Sequence, residues 1–122
     1  MKQNPTIAII GLGYVGLPLA AAFAEKYKVI GFDINSERIE QLQQGVDTTL
    51  ELSSEELNKA LIQSEATGLI VTDDASKMVE ATVFIVTVPT PTNKYNQPVL
   101  TPLQKASETV GKLLKKGDVV IY

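Results

Sequence analysis

Short apolar runs recur along the chain, and each ends abruptly at a glycine or a polar residue. The first, Thr6–Ile10, reads Thr-Ile-Ala-Ile-Ile and is closed by Gly11. A run that is apolar at almost every position, rather than at alternate ones, is typical of a parallel strand buried on both faces. Strands are predicted at Thr6–Ile10, Lys28–Phe32, Leu69–Thr72, Thr82–Val86 and Asp118–Tyr122.

Helical patterns lie between these strands. The stretch Tyr14–Lys26 is dominated by Ala, Leu and Phe, and Pro18 lies near its start, where a missing N–H does least harm. Because its many Ala side chains are small, this helix is expected to pack closely. Further helices are predicted over Ser36–Gln44, from a capping box of Ser53 and Glu56 to about Gln63, and from a Thr101 cap with Pro102 at the first position to Lys116, with one or two helical turns over Asp74–Val79.

The alternation of strands and helices predicts an α/β fold with a doubly wound parallel sheet. We expect the first strand at the centre of the sheet and a strand order of 3-2-1-4-5. The chain has 122 residues, so residues 1–122 are assigned to a single domain. Functional residues in such folds follow the carboxyl ends of strands. A chain whose last predicted strand ends at Tyr122 is therefore expected to be part of a longer protein.

Composition narrows the classes of partner. The formal net charge is −3 and the pI is about 4.9. The basic residues are scattered except at Lys115–Lys116, so neither nucleic acid nor an anionic membrane is expected as a partner. The apolar run before Gly11 is shorter than a secretory signal or a membrane span requires, and a cytoplasmic location is expected.

The chain has neither Cys nor His. Disulfides, thiolate nucleophiles, imidazole bases and the usual zinc ligands are therefore all missing from its chemistry. We expect no catalytic residue and no metal site in this chain.

A glycine pattern follows the first predicted strand directly. Gly11, Gly13 and Gly16, with Tyr14 and Val15 between the last two, form G-x-G-x-x-G and open the Ala-rich helix. The first glycine makes the tight turn, the second lets the backbone approach a diphosphate, and the third allows close packing of helix on strand. The helix N-terminus offers unpaired N–H groups and a partial positive charge, so dinucleotide binding is predicted. A tight turn without a ligand is the alternative.

An acidic residue, Asp33, ends the second predicted strand, 17 residues after Gly16 and near the spacing expected for a ribose-binding acid. Its carboxylate can accept hydrogen bonds from both hydroxyls of an adenosine ribose and would repel the 2′-phosphate of NADP, so NAD is the expected cofactor. The alternative is an N-cap for the helix near Ser36. Arg38 either lies over the adenine, or contacts the ribose, or is a solvated helix arginine.

A second loop, from Val88 to Pro98, follows the fourth predicted strand. Its prolines hold an extended path beside the glycine loop, where hydroxyl and N–H groups can meet a ligand. Thr87, Pro89 and Thr90 are therefore included among the cofactor-binding residues. A Pro-rich connection without a binding role is the alternative.

Three segments together resemble the N-terminal, NAD-binding domain of the UDP-glucose/GDP-mannose dehydrogenase family: Ile9–Ala20, Gly31–Asn35 and Val88–Thr92. The glycine loop followed by Leu-Pro-Leu-Ala, together with the later Val-Pro-Thr-Pro, is far more selective than either motif alone. The resemblance covers essentially the whole chain and implies a Rossmann NAD-binding fold. Within the family, Gly45–Glu51 is more similar to the branch that oxidises UDP-N-acetylhexosamines.

The resemblance also implies a reaction. In this family two NAD molecules in turn oxidise the C6 alcohol of a UDP-sugar, here a UDP-N-acetylhexosamine, to the carboxylate, as a step in polysaccharide biosynthesis. A cysteine in the C-terminal half forms a covalent intermediate, and a central helical region serves dimerisation. The UDP-sugar substrate and the homodimer are therefore expected of the full-length parent, and the present chain, without Cys, is expected to be inactive alone.

Other interpretations stay open. Within the family, the chain is alternatively a domain of a UDP-glucose 6-dehydrogenase. From a different class, it is a freestanding NAD-sensing module that regulates a partner, although a sensor has no evident need for the Thr-Val-Pro-Thr-Pro loop. The same loop argues against another dehydrogenase with a similar glycine loop, such as a hydroxyacyl or phosphogluconate type.

Overall fold

Five parallel strands form a single sheet in the computed structural model, which describes residues 5–122. The strands are β1 (Thr6–Ile10), β2 (Lys28–Phe32), β3 (Gly68–Thr72), β4 (Val83–Val86) and β5 (Val119–Ile121). Their order is β3-β2-β1-β4-β5, so β1 lies at the centre, paired with β2 on one side and β4 on the other. The predicted fold class, strand order and central first strand are confirmed.

Four α-helices and one short 3-10 helix connect the strands. They are α1 (Gly16–Ala24), α2 (Ser36–Gln43), α3 (Ser54–Leu61), the 3-10 helix Ala75–Met78, and α4 (Thr101–Leu113). Within residues 5–122, none of these helices has both the length and the apolar character needed to cross a membrane.

The central strand contributes to a hydrophobic core on each face of the sheet. Ile7 and Ile9 lie in one core and Ala8 and Ile10 in the other, because successive side chains of a strand point to opposite faces. The first core includes buried side chains of α1, α2 and α3, and the second includes those of α4 and the 3-10 helix. Helices therefore cover both faces, which explains why β1 is apolar throughout rather than alternating.

The start of α1 differs from the sequence prediction. The helix begins at Gly16 rather than Tyr14, and ends at Ala24 rather than Lys26. Val15 occupies the N-cap position and makes no side-chain capping bond. Tyr14 and Val15 therefore belong to the loop that precedes the helix. The Val15 carbonyl accepts the N–H of Leu19 at 3.2 Å, whereas the N–H groups of both residues take no part in the helical hydrogen-bond pattern.

The prediction for α4 was wrong at both ends. Thr101 is the first helical residue and not the cap, since the N–H of Gln104 donates to the carbonyl of Leu100 at 2.8 Å and no side chain caps the helix. At the other end, Leu114 has extended backbone angles, so the helix stops at Leu113 instead of Lys116. The capping box predicted for α3 is confirmed: Ser53 and Glu56 each accept the other's backbone N–H, at 3.1 Å in both directions.

Candidate functional site

A cavity of about 370 Å³ opens where the carboxyl ends of β1 and β2 meet the loop after β4. Ligands of open α/β sheets bind at this edge. The lining residues come from five segments of the chain: Ile10–Gly13; Phe32–Asn35 and Arg38; Thr49; Val88 and Pro89; and Pro102, Lys105, Ala106 and Thr109 of α4. A wider groove of about 750 Å³ lies between α1 and α3, but none of the predicted site residues lines it. The smaller cavity is therefore the candidate site.

Leu12, between the first two glycines of the loop, is held on three sides. Its side chain is fully buried and covers Gly31 of β2, where an added Cβ would approach the leucine methyl groups to 2.9 Å. Its backbone N–H donates to Asp33 Oδ2 at 2.9 Å, and its carbonyl accepts from Arg38 Nε at 2.7 Å. The glycine loop is thus tied to β2 and α2 through one residue.

Asp33 organises the turn between β2 and α2 as well as the glycine loop. Its second oxygen, Oδ1, accepts the N–H of Asn35 at 3.0 Å. Asn35 is the N-cap of α2, and its side chain accepts the N–H of Arg38 at 3.1 Å. The alternative that Asp33 caps this helix is therefore wrong. Each Asp33 oxygen accepts one of these bonds and retains a further lone pair for a ligand.

The side chain of Arg38 is largely enclosed at the site, although the residue as a whole is only half-buried. Its Nη1 lies 3.1 Å from Asp47 Oδ1, and the side chains of the pair are 11% and 0% exposed. Its Nη2 is buried and has no hydrogen-bond partner among the described residues. The alternative of a solvated helix arginine is therefore wrong. Its contact with adenine or ribose stays a prediction.

Asp47 fixes the loop that follows α2. Besides Arg38, its carboxylate accepts four hydrogen bonds, at 2.6–3.0 Å, from the N–H and hydroxyl of Thr49 and the N–H groups of Glu51 and Leu52. Burial raises the pKa of Asp47, but the bonds from Thr49, Leu52 and Arg38 outweigh burial and lower the pKa to about 2. Asp47 therefore remains a carboxylate throughout the physiological pH range.

The residues that precede α1 supply free donors. None of the backbone hydrogen bonds among residues 5–122 uses the N–H of Gly13, Tyr14 or Val15. The side chains of Tyr14 and Val15 are exposed, and a Cβ added at Gly13 would meet nothing within 4 Å. The start of α1 is therefore open to a ligand, with its unpaired donors and the positive end of the helix dipole.

Gly11 and Gly16 allow the glycine loop to pack closely against Thr87, the residue just before the second loop. Gly11 has a φ of +103°, and its added Cβ would lie 2.9 Å from the carbonyl group of Thr87. A Cβ at Gly16 would overlap the carbonyl oxygen of Gly11 and lie 2.5 Å from Thr87 Oγ1. These two positions need glycine for packing, whereas Gly13 has room for a side chain.

Thr87 stabilises the glycine loop from the β4 side. Its hydroxyl donates to the carbonyl of Gly11 at 2.7 Å, and its N–H donates to the carbonyl of Ile10 at 2.8 Å. Pro89 lines the cavity, whereas Thr90 is exposed and does not. Of the predicted site residues, the cavity brings together Gly11, Gly13, Asp33, Arg38 and Pro89. Outside its lining are Tyr14, Val15, Gly16, Thr87 and Thr90.

Sequence reasoning missed the contribution of α4 and of the loop after α2. Pro102, Lys105, Ala106 and Thr109 line the cavity at helical spacing. That spacing was visible in the sequence, but it does not say which face of α4 meets the glycine loop. Asp47 had a local signal in Thr49, two residues on, because aspartates accept bonds from residues at that distance in turns.

A profile of the UDP-glucose/GDP-mannose dehydrogenase family, NAD binding domain, matches residues 5–122. The chain belongs to this family. The predicted resemblance and the predicted NAD cofactor are confirmed, and the cavity described above lies in an NAD-binding domain.

The chain is also similar to individual dehydrogenases. The chain is 54% identical over 116 residues to UDP-N-acetyl-D-glucosamine 6-dehydrogenase of Pseudomonas aeruginosa, covering 95% of this chain and 26% of that protein. It is 36% identical over 117 residues to UDP-N-acetyl-D-mannosamine dehydrogenase of Escherichia coli K12, covering 95% and 27%. The solved UDP-D-ManNAc dehydrogenase of Pyrococcus horikoshii matches with a TM-score of 0.86 at 37% identity, covering 94% and 27%. The chain spans about a quarter of the length of these relatives.

The low pKa of Asp47 predicts a pH dependence of stability. Because the folded-state pKa of about 2 lies below the ordinary 3.8, the stabilisation is complete above about pH 4 and is lost as the pH falls toward 2. The wild type should therefore lose about 2 kcal/mol more unfolding free energy over this range than Asp47→Asn. Urea denaturation at a series of pH values measures the difference. The other carboxylates are common to both proteins, so parallel pH profiles would contradict the assignment.

Proposed function

We propose that this domain holds NAD along the edge formed by the glycine loop, with the adenosine in the 370 Å³ cavity and the diphosphate across the start of α1. In the whole protein it would present the nicotinamide to a UDP-N-acetylhexosamine. The observation that carries the proposal is the set of three N–H groups, at Gly13–Val15, that have no backbone partner within residues 5–122 and lie beside a cavity that Asp33 lines.

The diphosphate position follows from charge and access. Free backbone donors at a helix N-terminus favour a bound anion, and the helix dipole adds to the attraction. The open space above Gly13 supports this position, since a diphosphate must approach the backbone closely there. The exposed side chains of Tyr14 and Val15 then lie beside the bound anion without being needed to hold it.

The ribose position follows from Asp33. Both of its oxygens are oriented by backbone N–H groups, of Leu12 and Asn35. A carboxylate fixed in this way is ready to accept two ribose hydroxyls, and its charge opposes a 2′-phosphate.

The adenine position follows from the apolar part of the cavity. Ile34, Val88, Pro89 and Ala106 provide aliphatic surface from three separate segments. Lys105 and Thr109 add polar groups at the same wall. Apolar walls with a few polar groups are typical of sites for flat, small ligands.

The substrate assignment rests on the relatives. Those named above act, by their names, on UDP-N-acetyl-D-glucosamine and UDP-N-acetyl-D-mannosamine. We assign the whole protein the same substrate class, with two NAD molecules used in turn for oxidation at C6. A UDP-glucose substrate is the second candidate, since a Pyrobaculum islandicum UDP-glucose dehydrogenase also matches, with a TM-score of 0.73 at 28% identity.

NAD supplies the hydride acceptor, and the residues described above bind and orient it. Aldehyde oxidation needs a nucleophile, and this chain has neither Cys nor a His to activate a threonine hydroxyl. The reaction therefore depends on residues of the whole protein that are not in this sequence. A cytoplasmic homodimer is our proposal for that protein.

Two glycine-to-alanine substitutions, with a third as control, distinguish an effect on NAD affinity from an effect on the free energy of unfolding. Gly13→Ala places a methyl group where the diphosphate must approach, so NAD affinity should fall about tenfold while stability is retained. Gly16→Ala forces a methyl group into the Gly11 carbonyl and should lower the free energy of unfolding by about 1–3 kcal/mol. Calorimetry with NAD and urea denaturation measure the two effects.

The matched control is Gly111→Ala in α4, where an added Cβ also meets nothing within 4 Å. It should leave NAD affinity unchanged and raise stability by about 0.5–1 kcal/mol, because glycine is unfavourable inside a helix. Unaltered NAD affinity in Gly13→Ala would refute the diphosphate position.

Catalysis by this chain alone is expected to be undetectable. NADH absorbance is followed with UDP-N-acetylglucosamine, UDP-N-acetylgalactosamine and UDP-glucose as substrates, using the 122-residue chain and, in parallel, the complete gene product. Turnover by the 122-residue chain would contradict the proposal that the reaction depends on residues outside this sequence. A complete protein that oxidised none of the three sugars would contradict the substrate assignment and leave NAD binding unaffected.

A further inference from the structure

A line of alternating charges runs from the cavity into the loop after α2. Asp33 holds the N–H of Leu12, Arg38 holds the carbonyl of the same residue, and Asp47 pairs with Arg38. We propose that Asp47 is a positioning residue for cofactor choice: it holds Arg38 so that the guanidinium cannot bind the 2′-phosphate of NADP. The inference rests on the proposed placement of the adenosine ribose at Asp33.

Arg38 is in the right place to bind a 2′-phosphate. It and Asp33 bind the two ends of a single residue, Leu12, so both lie beside the expected ribose position, and both line the cavity. An arginine near the ribose is the side chain that accommodates a 2′-phosphate in NADP-binding domains. The chain therefore carries, side by side, an acid that favours NAD and a cation of the kind that favours NADP.

The pairing with Asp47 prevents the Arg38 guanidinium from binding a 2′-phosphate. Arg38 Nη1 donates to Asp47 at 3.1 Å, and Arg38 Nε donates to the Leu12 carbonyl at 2.7 Å. Arg38 Nη2 is buried without a partner among the described residues. The guanidinium is planar, so two fixed nitrogens determine the position of the third. Its charge is balanced by a carboxylate whose own side chain is 0% exposed.

Asp47 cannot release Arg38 easily. Four bonds from Thr49, Glu51 and Leu52 hold its carboxylate in place. If Arg38 turned toward a phosphate, the Asp47 carboxylate would remain buried without its cation, which is strongly unfavourable. The pair therefore opposes NADP independently of the repulsion by Asp33.

The test compares the dissociation constants of NAD and NADP, by calorimetry, for wild type, Asp33→Asn, Asp47→Asn and the double variant. Asp33→Asn alone should improve NADP binding only slightly, because Arg38 remains paired with Asp47. The double variant should bind NADP about tenfold more tightly than the product of the single effects allows, since one charge-assisted bond to phosphate becomes possible. A double variant no better than Asp33→Asn would overturn the proposal.

The matched control is Asp118→Asn combined with Asp33→Asn. Asp118 also pairs with a cation, Lys115 at 3.1 Å, and accepts a backbone N–H, but it precedes β5, and neither residue lines the cavity. This control should bind NADP as Asp33→Asn does. An equal gain in both double variants would show a general loss of negative charge and would also overturn the proposal.

A second measurement tests the proposal even if the Asp47→Asn variants do not fold. In Asp33→Asn, the Arg38 guanidinium N–H resonances should not move when NADP replaces NAD, because Asp47 still holds the group. Movement of these resonances with NADP alone would overturn the proposal. Wild type that failed to bind NAD would instead contradict the proposed function, so the two failures are distinguishable.

Discussion

The position of one residue, Leu12, determines the geometry of the site. Its side chain is packed over Gly31 in the core, its N–H is bound by Asp33, and its carbonyl is bound by Arg38. A loop between a strand and a helix is ordinarily the most mobile part of such a unit. Here the core fixes the middle of the loop, and the N–H groups of Gly13–Val15 that follow have no backbone partner in the described part of the chain.

The same constraint connects cofactor binding with folding. Asp33 orients the glycine loop and lines the cavity where we propose that the ribose binds, and Asp47 is connected to the loop through Arg38. Arg38 thus connects the glycine loop, through Leu12, to the loop after α2, through Asp47. Consequently, we expect changes at Asp47 to alter both stability and the electrostatics of the cavity, although Asp47 itself does not line it.

Features that depend on residues close together in the sequence could be predicted from it. The apolar runs predicted the five strands. The spacing of Gly11, Gly13 and Gly16 before Asp33 predicted the turn and helix start beside the candidate cavity, because these structures require such residues. The burial of Asp47 could not be predicted, since a charged residue in a polar loop has the pattern of an exposed turn. Its burial depends on Arg38 arriving from α2, nine residues away. The prediction that Thr101 caps α4 was wrong because Thr101 is already the first helical residue.

The protein itself holds Leu12, and we propose that the cofactor holds the N–H groups of Gly13–Val15. Amide hydrogen exchange, measured with and without NAD, tests it most directly. In the free protein, the Leu12 N–H should exchange slowly and those of Gly13, Tyr14 and Val15 rapidly, and saturating NAD should slow only the latter three. Rapid exchange at Leu12 in the free protein, or NAD protection confined to the groove between α1 and α3, would contradict the account.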